Sequence, residues 1–113
     1  MKSDLQTILH TAGVSPHYCG YRYLQDAVFL AVEDPCRLHN IQKEIYFPVA
    51  QRHKTTIDNV EKDIRTVRDI LMKRGGNRIL AELTGYTPFL ERKPFPKELI
   101  GLLAEYLKTD KED

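Results

Sequence analysis

Asn59, Lys62, Arg65 and Thr66 bring several kinds of hydrogen-bonding side chain into one short stretch of this chain. Arginine and lysine donate to O6 and N7 of guanine, asparagine pairs with N6 and N7 of adenine, and threonine serves several bases. Carried on one helix, such residues are able to read base edges in a major groove. Lys54, Thr55, Thr56, Lys73, Arg74 and Arg78 bracket them and are of the types that hold phosphate oxygens. Asp58 and Asp69 share the same face and oppose this reading, because each repels a nearby phosphate. An aspartate also accepts from cytosine N4 or orients a basic neighbour. The residues read equally as the solvated face of an ordinary helix, since helix pairs with short turns occur in many proteins that bind no DNA.

The charge distribution favours a phosphate partner more than the total does. Net charge is +1 over 113 residues. Between Gln51 and Arg78 there are eight Lys or Arg and four acids, a local excess of +4, so the remainder sums to −3. A concentrated patch attracts phosphate even where the total is near zero.

The elements that must position these residues are helical. Ile57, Val60, Ile64, Val67 and Leu71 follow at spacings of 3, 4, 3 and 4, one apolar stripe that packs on a core. At about 100° per residue, Asp58, Lys62, Arg65, Thr66 and Asp69 fall opposite that stripe, with Asn59 at its edge. Thr55 or Thr56 is placed to cap the helix. The preceding helix ends at about His53, leaving the short connection of a helix-turn-helix over about 40–73, without the usual glycine.

Elsewhere, Leu5, Ile8, Leu9 and Ala12 predict a first helix closed by Gly13, and Leu24 to Val32 a second that stops before Pro35. A third is expected from Pro35 to His53, with Leu38, Ile41, Ile45 and Val49 buried and a kink or break near Tyr46 and Phe47 caused by Pro48. After the fourth, a short fifth spans about Asn77 to Leu83, Gly75 or Gly76 serving as the cap between them. A loop with three prolines leads to a sixth helix from Pro96 to Lys108, and the charged tail TDKED is expected to fray. The expected class is all-α, six helices in one domain.

Several functions find no support. No run of about 18 apolar residues is present, so no membrane span is expected. MKSDLQTILH lacks the features of a signal peptide, which points to the cytoplasm and to reduced Cys19 and Cys36. His17-x-Cys19 and Cys36-x-x-His39 supply zinc-ligand types, but the first pair is too closely spaced, and thiols in the core beside surface histidines are the plainer reading. His10 and His53 read as surface or helix-end residues. Tyr18, Tyr21, Tyr23 and Tyr86 read as packing groups rather than a base-stacking platform. With no nucleophile–base pairing and no glycine-rich phosphate loop, no enzyme, metal or cofactor is expected.

The sequence resembles the C-terminal DNA-binding (effector) domain of the sporulation transcription factor Spo-zero-A, from about Leu5 to Leu107. The resemblance rests on ILHTAGV, GYRYL, Phe47-Pro48, the KTT turn, VEKDIR, RGGN, LTGYT and KPFPKELIGLLAEYL. It implies a six-helix fold whose fourth helix, about 57–73, is the recognition helix. It also implies binding to short TGTCGAA-like boxes in double-stranded promoter DNA, often as tandem head-to-tail copies. Glu61 and Arg65 match the family's glutamate and a DNA-contacting arginine, so Glu61 is expected to orient a basic neighbour or meet a cytosine. Lys62 and Asn59 stand where the family has arginine, and Thr66 where it has histidine, departures that bear on the target sequence.

The family protein carries a phosphorylatable receiver domain before this one. This sequence begins with Met1 at the effector domain, so phosphorelay control within the chain is not expected; a stand-alone relative and a fragment of a longer protein both fit. The leading expectation is a sequence-specific transcriptional regulator, with a homodimer, RNA polymerase or a full-length regulator as further partners. The rival is a protein-interaction module of the same fold that has shed strong DNA binding and pairs through the Leu99 to Leu107 face of its last helix.

Overall fold

A computed structural model describes residues 2–112, with side chains from Asp4 to Lys108. The described residues form six α-helices: α1 (Lys2–Thr11), α2 (Cys19–Glu33), α3 (Phe47–Arg52), α4 (Ile57–Lys73), α5 (Gly76–Thr84) and α6 (Pro96–Glu112). No strand occurs among them, and the domain is all-α. Among the described residues no helix is long and apolar enough to cross a membrane.

Helix α1 ends where Gly13 turns left-handed at φ 83°. The Gly13 amide donates to the His10 carbonyl and the Val14 amide to that of Leu9, both at 2.9 Å. This Schellman closure satisfies two carbonyls that the helix end leaves open. Val14 is carried into the core beside Leu5 and Leu9.

The stretch expected as one third helix is built in three pieces. A 3-10 helix spans Pro35–Asn40, capped by the Asp34 carboxylate, which accepts from the Cys36 amide at 3.0 Å. A π-helical turn covers Gln42–Tyr46, and α3 begins at Phe47. Pro48 is the cause: it has no N–H for the Glu44 carbonyl and its ring crowds that group. The helix widens, so that the Phe47 amide reaches the Gln42 carbonyl. The Glu44 carbonyl instead accepts from Arg37 Nη1 at 2.9 Å. A side chain seven residues upstream thus fills the vacancy left by proline. Of the four residues expected to be buried here, Ile45 and Val49 are; Leu38 and Ile41 are half-buried.

Helix α2 packs most extensively against α4 and α6. Leu24, Ala27, Val28 and Ala31 meet Val60, Ile64, Val67 and Leu71 of α4 and Leu99, Leu103 and Leu107 of α6 in one core. This overturns the expectation of a free Leu99–Leu107 face: Leu99 and Leu103 are wholly buried, and only Leu102 and Tyr106 remain part-exposed. Burying such a side chain contributes about 1.5–3 kcal/mol, and that gain outweighs leaving the face open for a partner. Helix α6 extends to Glu112, so most of the segment expected to fray is helical, while side chains over 109–113 lie outside the described residues.

Candidate nucleic-acid interface

The turn before α4 is built without glycine. His53 ends α3, and Lys54 takes φ 55°, the left-handed conformation that Gly13 supplies after α1. The hydrogen bonds repeat that closure: the Lys54 amide donates to the Gln51 carbonyl at 3.3 Å and the Thr55 amide to that of Ala50 at 2.9 Å. His53 is anchored in turn, its Nε2 lying 2.5 Å from Asp26 of α2 and its ring edge-on to Tyr23. The turn therefore fixes where α4 starts.

Thr56 is the cap. Its hydroxyl accepts from the Asn59 amide at 3.1 Å. Thr55 is occupied differently, accepting from Asn59 Nδ2 at 3.1 Å. An asparagine amide group has two donors and an acceptor, so Asn59 keeps one donor and its oxygen for a ligand. Lys54, Thr56, Asp58 and Asn59 are exposed around this end of the helix.

Along the next turns the buried stripe and the open face separate cleanly. Val60, Ile64, Val67 and Leu71 are wholly buried, while Lys62, Arg65, Thr66 and Asp69 are exposed. Arg65 donates to the Glu61 carboxylate one helical turn back. That bond uses part of a five-donor fork and leaves the remainder free. The Thr66 hydroxyl donates to the Lys62 carbonyl at 3.2 Å, which leaves its oxygen to accept and its methyl to make apolar contact. Beneath the pair lies buried Tyr46. Burial pushes its hydroxyl up to about 12, with Glu61 adding to the rise and Arg65 opposing it. Tyr46 is thus neutral at physiological pH and floors the Glu61–Arg65 pair.

The basic residues expected to bracket the helix are not gathered in one place. Lys54 and Lys73 sit at opposite ends of α4, about 25 Å of helix apart at 1.5 Å per residue. The Arg74 side chain lies across Gly13, in the connector after α1. Arg78 is exposed on α5. Gly75, at φ 82°, supplies the left-handed turn between α4 and α5, whereas buried Gly76 opens α5 close against the Leu71 carbonyl.

Sequence reasoning gave three residues here no role of their own. Gly20 in the first turn of α2 lies against the back of α4: a Cβ there would stand 2.1 Å from the Asp63 carbonyl oxygen. Arg68, counted above in the basic patch, donates to Asp69 and, at 3.2 Å, to the Pro94 carbonyl, with its side chain only 14% exposed. Lys93 in the following loop also reaches Asp69, at 3.4 Å. Burial is the largest single influence on the Asp69 carboxyl and raises it, but the hydrogen bonds and charges of Arg68 and Lys93 together outweigh it and hold the group below its ordinary range. The spacing Arg68-Asp69 and the KP pair were visible, but nothing local in sequence joins them.

Cys19 and Cys36 are free and exposed rather than core thiols. Among the described residues no group of three or more His, Cys, Asp or Glu is placed to hold a metal ion. Tyr21 and Tyr23 are buried, while Tyr18 and Tyr86 are exposed.

A family model described as "Sporulation initiation factor Spo0A C terminal" matches residues 5–107. The match runs from within α1 to within α6 and takes in the whole of the turn and α4. The chain belongs to this Spo0A C-terminal family, whose members are DNA-binding effector domains of transcription factors and not enzymes.

Proposed function

We propose that the chain is a sequence-specific regulator that lays α4 in the major groove of a short promoter box. The observation that carries the reading is the exposed face of α4. It presents Asn59, Lys62 and Arg65 in its first half, after a turn closed by the Lys54 and Thr55 amides on the carbonyls of Gln51 and Ala50. Asn59 and Arg65 address bases, Lys62 addresses a guanine or a phosphate, and Thr66 addresses a thymine methyl or a base donor. Glu61 holds the Arg65 guanidinium along the helix, which fixes its approach. Lys54, Thr55, Thr56 and Lys73 contact the backbone at the two ends of the helix, with Arg74 and Arg78 further along the duplex. The turn and α4, with α3 before them, act as a helix-turn-helix within one domain, and head-to-tail copies on tandem boxes are the arrangement the family suggests.

The test is fluorescence anisotropy of this chain on a TGTCGAA-box duplex and on a scrambled duplex at two salt concentrations. Tighter binding to the box, weakening with salt, is the expected result. Equal and salt-sensitive binding to both duplexes sinks recognition of that box and leaves a different target. Absence of binding at either salt overturns the DNA reading and leaves the protein-interaction alternative.

A further inference from the structure

Asp69 stands in the middle of the face that α4 presents, about 20° around the helix from Asp58 at 100° per residue. A bare carboxylate there opposes a phosphate backbone. It is not bare. Arg68 Nε and Nη2 meet Asp69 Oδ1 at 3.1 and 3.0 Å, and Lys93 Nζ meets the same oxygen at 3.4 Å. Two cations, one from α4 itself and one from the loop, face one acid, so the cluster carries +1 where the Arg68 and Asp69 of the helix alone sum to zero.

The second segment is held rigidly. Arg68 Nη1 donates to the Pro94 carbonyl, which ties the loop to α4. Arg92 makes two bonds to the Glu98 carboxylate, at 2.8 and 2.7 Å, and the Phe95 amide donates to the same group at 2.9 Å. The Phe95 carbonyl accepts from the Leu99 amide of α6. The loop is thus fixed to α4 on one side and to α6 on the other before any ligand arrives, which reduces the entropy a ligand must overcome. Arg92 is consumed by Glu98, but Lys93 is 61% exposed. An ammonium group has three donors, and Asp69 takes one of them.

We propose that the loop Arg92–Phe95 is a second backbone-contacting element for the duplex that α4 binds. In it Lys93 donates to a phosphate, while Arg68 and Lys93 together mask the Asp69 carboxylate. Arg68 is a positioning residue: it touches no DNA and sets the loop against the helix. The inference rests on the DNA-binding reading and extends the interface beyond α4 and its flanks.

The experiment compares wild type, Lys93→Ala, Asp69→Asn and the double variant on one duplex across a salt series, with a thermal melt of each to verify folding. Each neutralised phosphate contributes about 0.9 to the slope of log affinity against log salt. Lys93→Ala is expected to lower that slope by about one and to weaken box and scrambled duplexes alike. Asp69→Asn in the Lys93→Ala background is expected to recover part of the affinity but not the slope, because it removes repulsion without adding a phosphate contact. A wild type that binds with an unchanged slope in Lys93→Ala overturns the loop contact alone. A wild type that does not bind overturns the DNA reading, and this inference with it.

Discussion

At Lys54 the backbone adopts φ 55°, where an L side chain crowds the carbonyl that follows. Glycine removes that crowding but gives the unfolded chain more freedom, so Lys54→Gly is expected to stabilise the fold by only about 0.5–1 kcal/mol. Urea unfolding measures this, and Lys54→Ala, which keeps the strain, is the matched comparison. Both variants lose the ammonium group, so both are expected to weaken DNA binding. Arg65 carries the other residue-scale prediction. Its removal is expected to cost about 1–3 kcal/mol of discrimination between box and scrambled duplexes, the worth of a bidentate guanine pair. A variant that keeps full discrimination removes Arg65 from the readout. The identity of these side chains was legible in the sequence, because helical periodicity alone puts Lys62 and Arg65 on the open face. Their occupancy was not: the Asn59–Thr55 and Thr66–Lys62 bonds depend on rotamers that spacing does not specify.

The elements are positioned by close contacts that tolerate little change. Helices α2 and α4 touch backbone to backbone at Gly20. A methyl there must force the helices apart, so Gly20→Ala is expected to destabilise the protein by about 1–3 kcal/mol. The displacement is also expected to appear as shifted amide resonances along α4. Gly101 is the control. A Cβ at that position meets Leu38 Cδ1 at 3.5 Å, an ordinary contact, and alanine favours the helix interior by about 0.5–1 kcal/mol. Gly101→Ala is therefore expected to be neutral or stabilising in the same unfolding assay. The start of α6 supplies a pH dependence. Arg92, and then the Phe95 amide, hold the Glu98 carboxyl down at about 2 against an ordinary 4.5. A depressed folded-state value means stability present above pH 4.5 and lost as pH falls toward 2. Glu98→Gln is expected to flatten that acid limb, measured by thermal melts across the window; an unaltered limb assigns the loss to other carboxylates.

Over the whole molecule, one core serves all six helices. Leu103 of α6 is wholly buried, and its replacement by alanine is expected to cost about 2–5 kcal/mol. Because α2 joins α4 and α6 in that core, the loss is expected to lower one cooperative transition that also abolishes DNA binding, rather than to release α6 alone. Coincident circular dichroism and binding transitions test this. A net charge of +1 produces little long-range attraction, so the salt dependence of binding reports local contacts rather than the total.

The sequence by itself determined the all-α class, the bounds of α2, α4 and α5 to within a residue or two, and the stripe of α4 from Val60 to Leu71. These follow from apolar periodicity and from capping residues, which are local properties. It also foresaw the break at Pro48, since proline's missing donor is a local fact. Only the tertiary structure decided how that break is repaired, because Arg37 reaches the Glu44 carbonyl across a fold in the chain. Only the tertiary structure removed the Leu99–Leu107 face from the surface, since burial depends on what a helix meets and not on its own pattern. The same holds for the charges. Arg68 and Asp69 are neighbours in sequence, but their joining to Lys93 and Pro94 depends on packing between segments 24 to 26 residues apart.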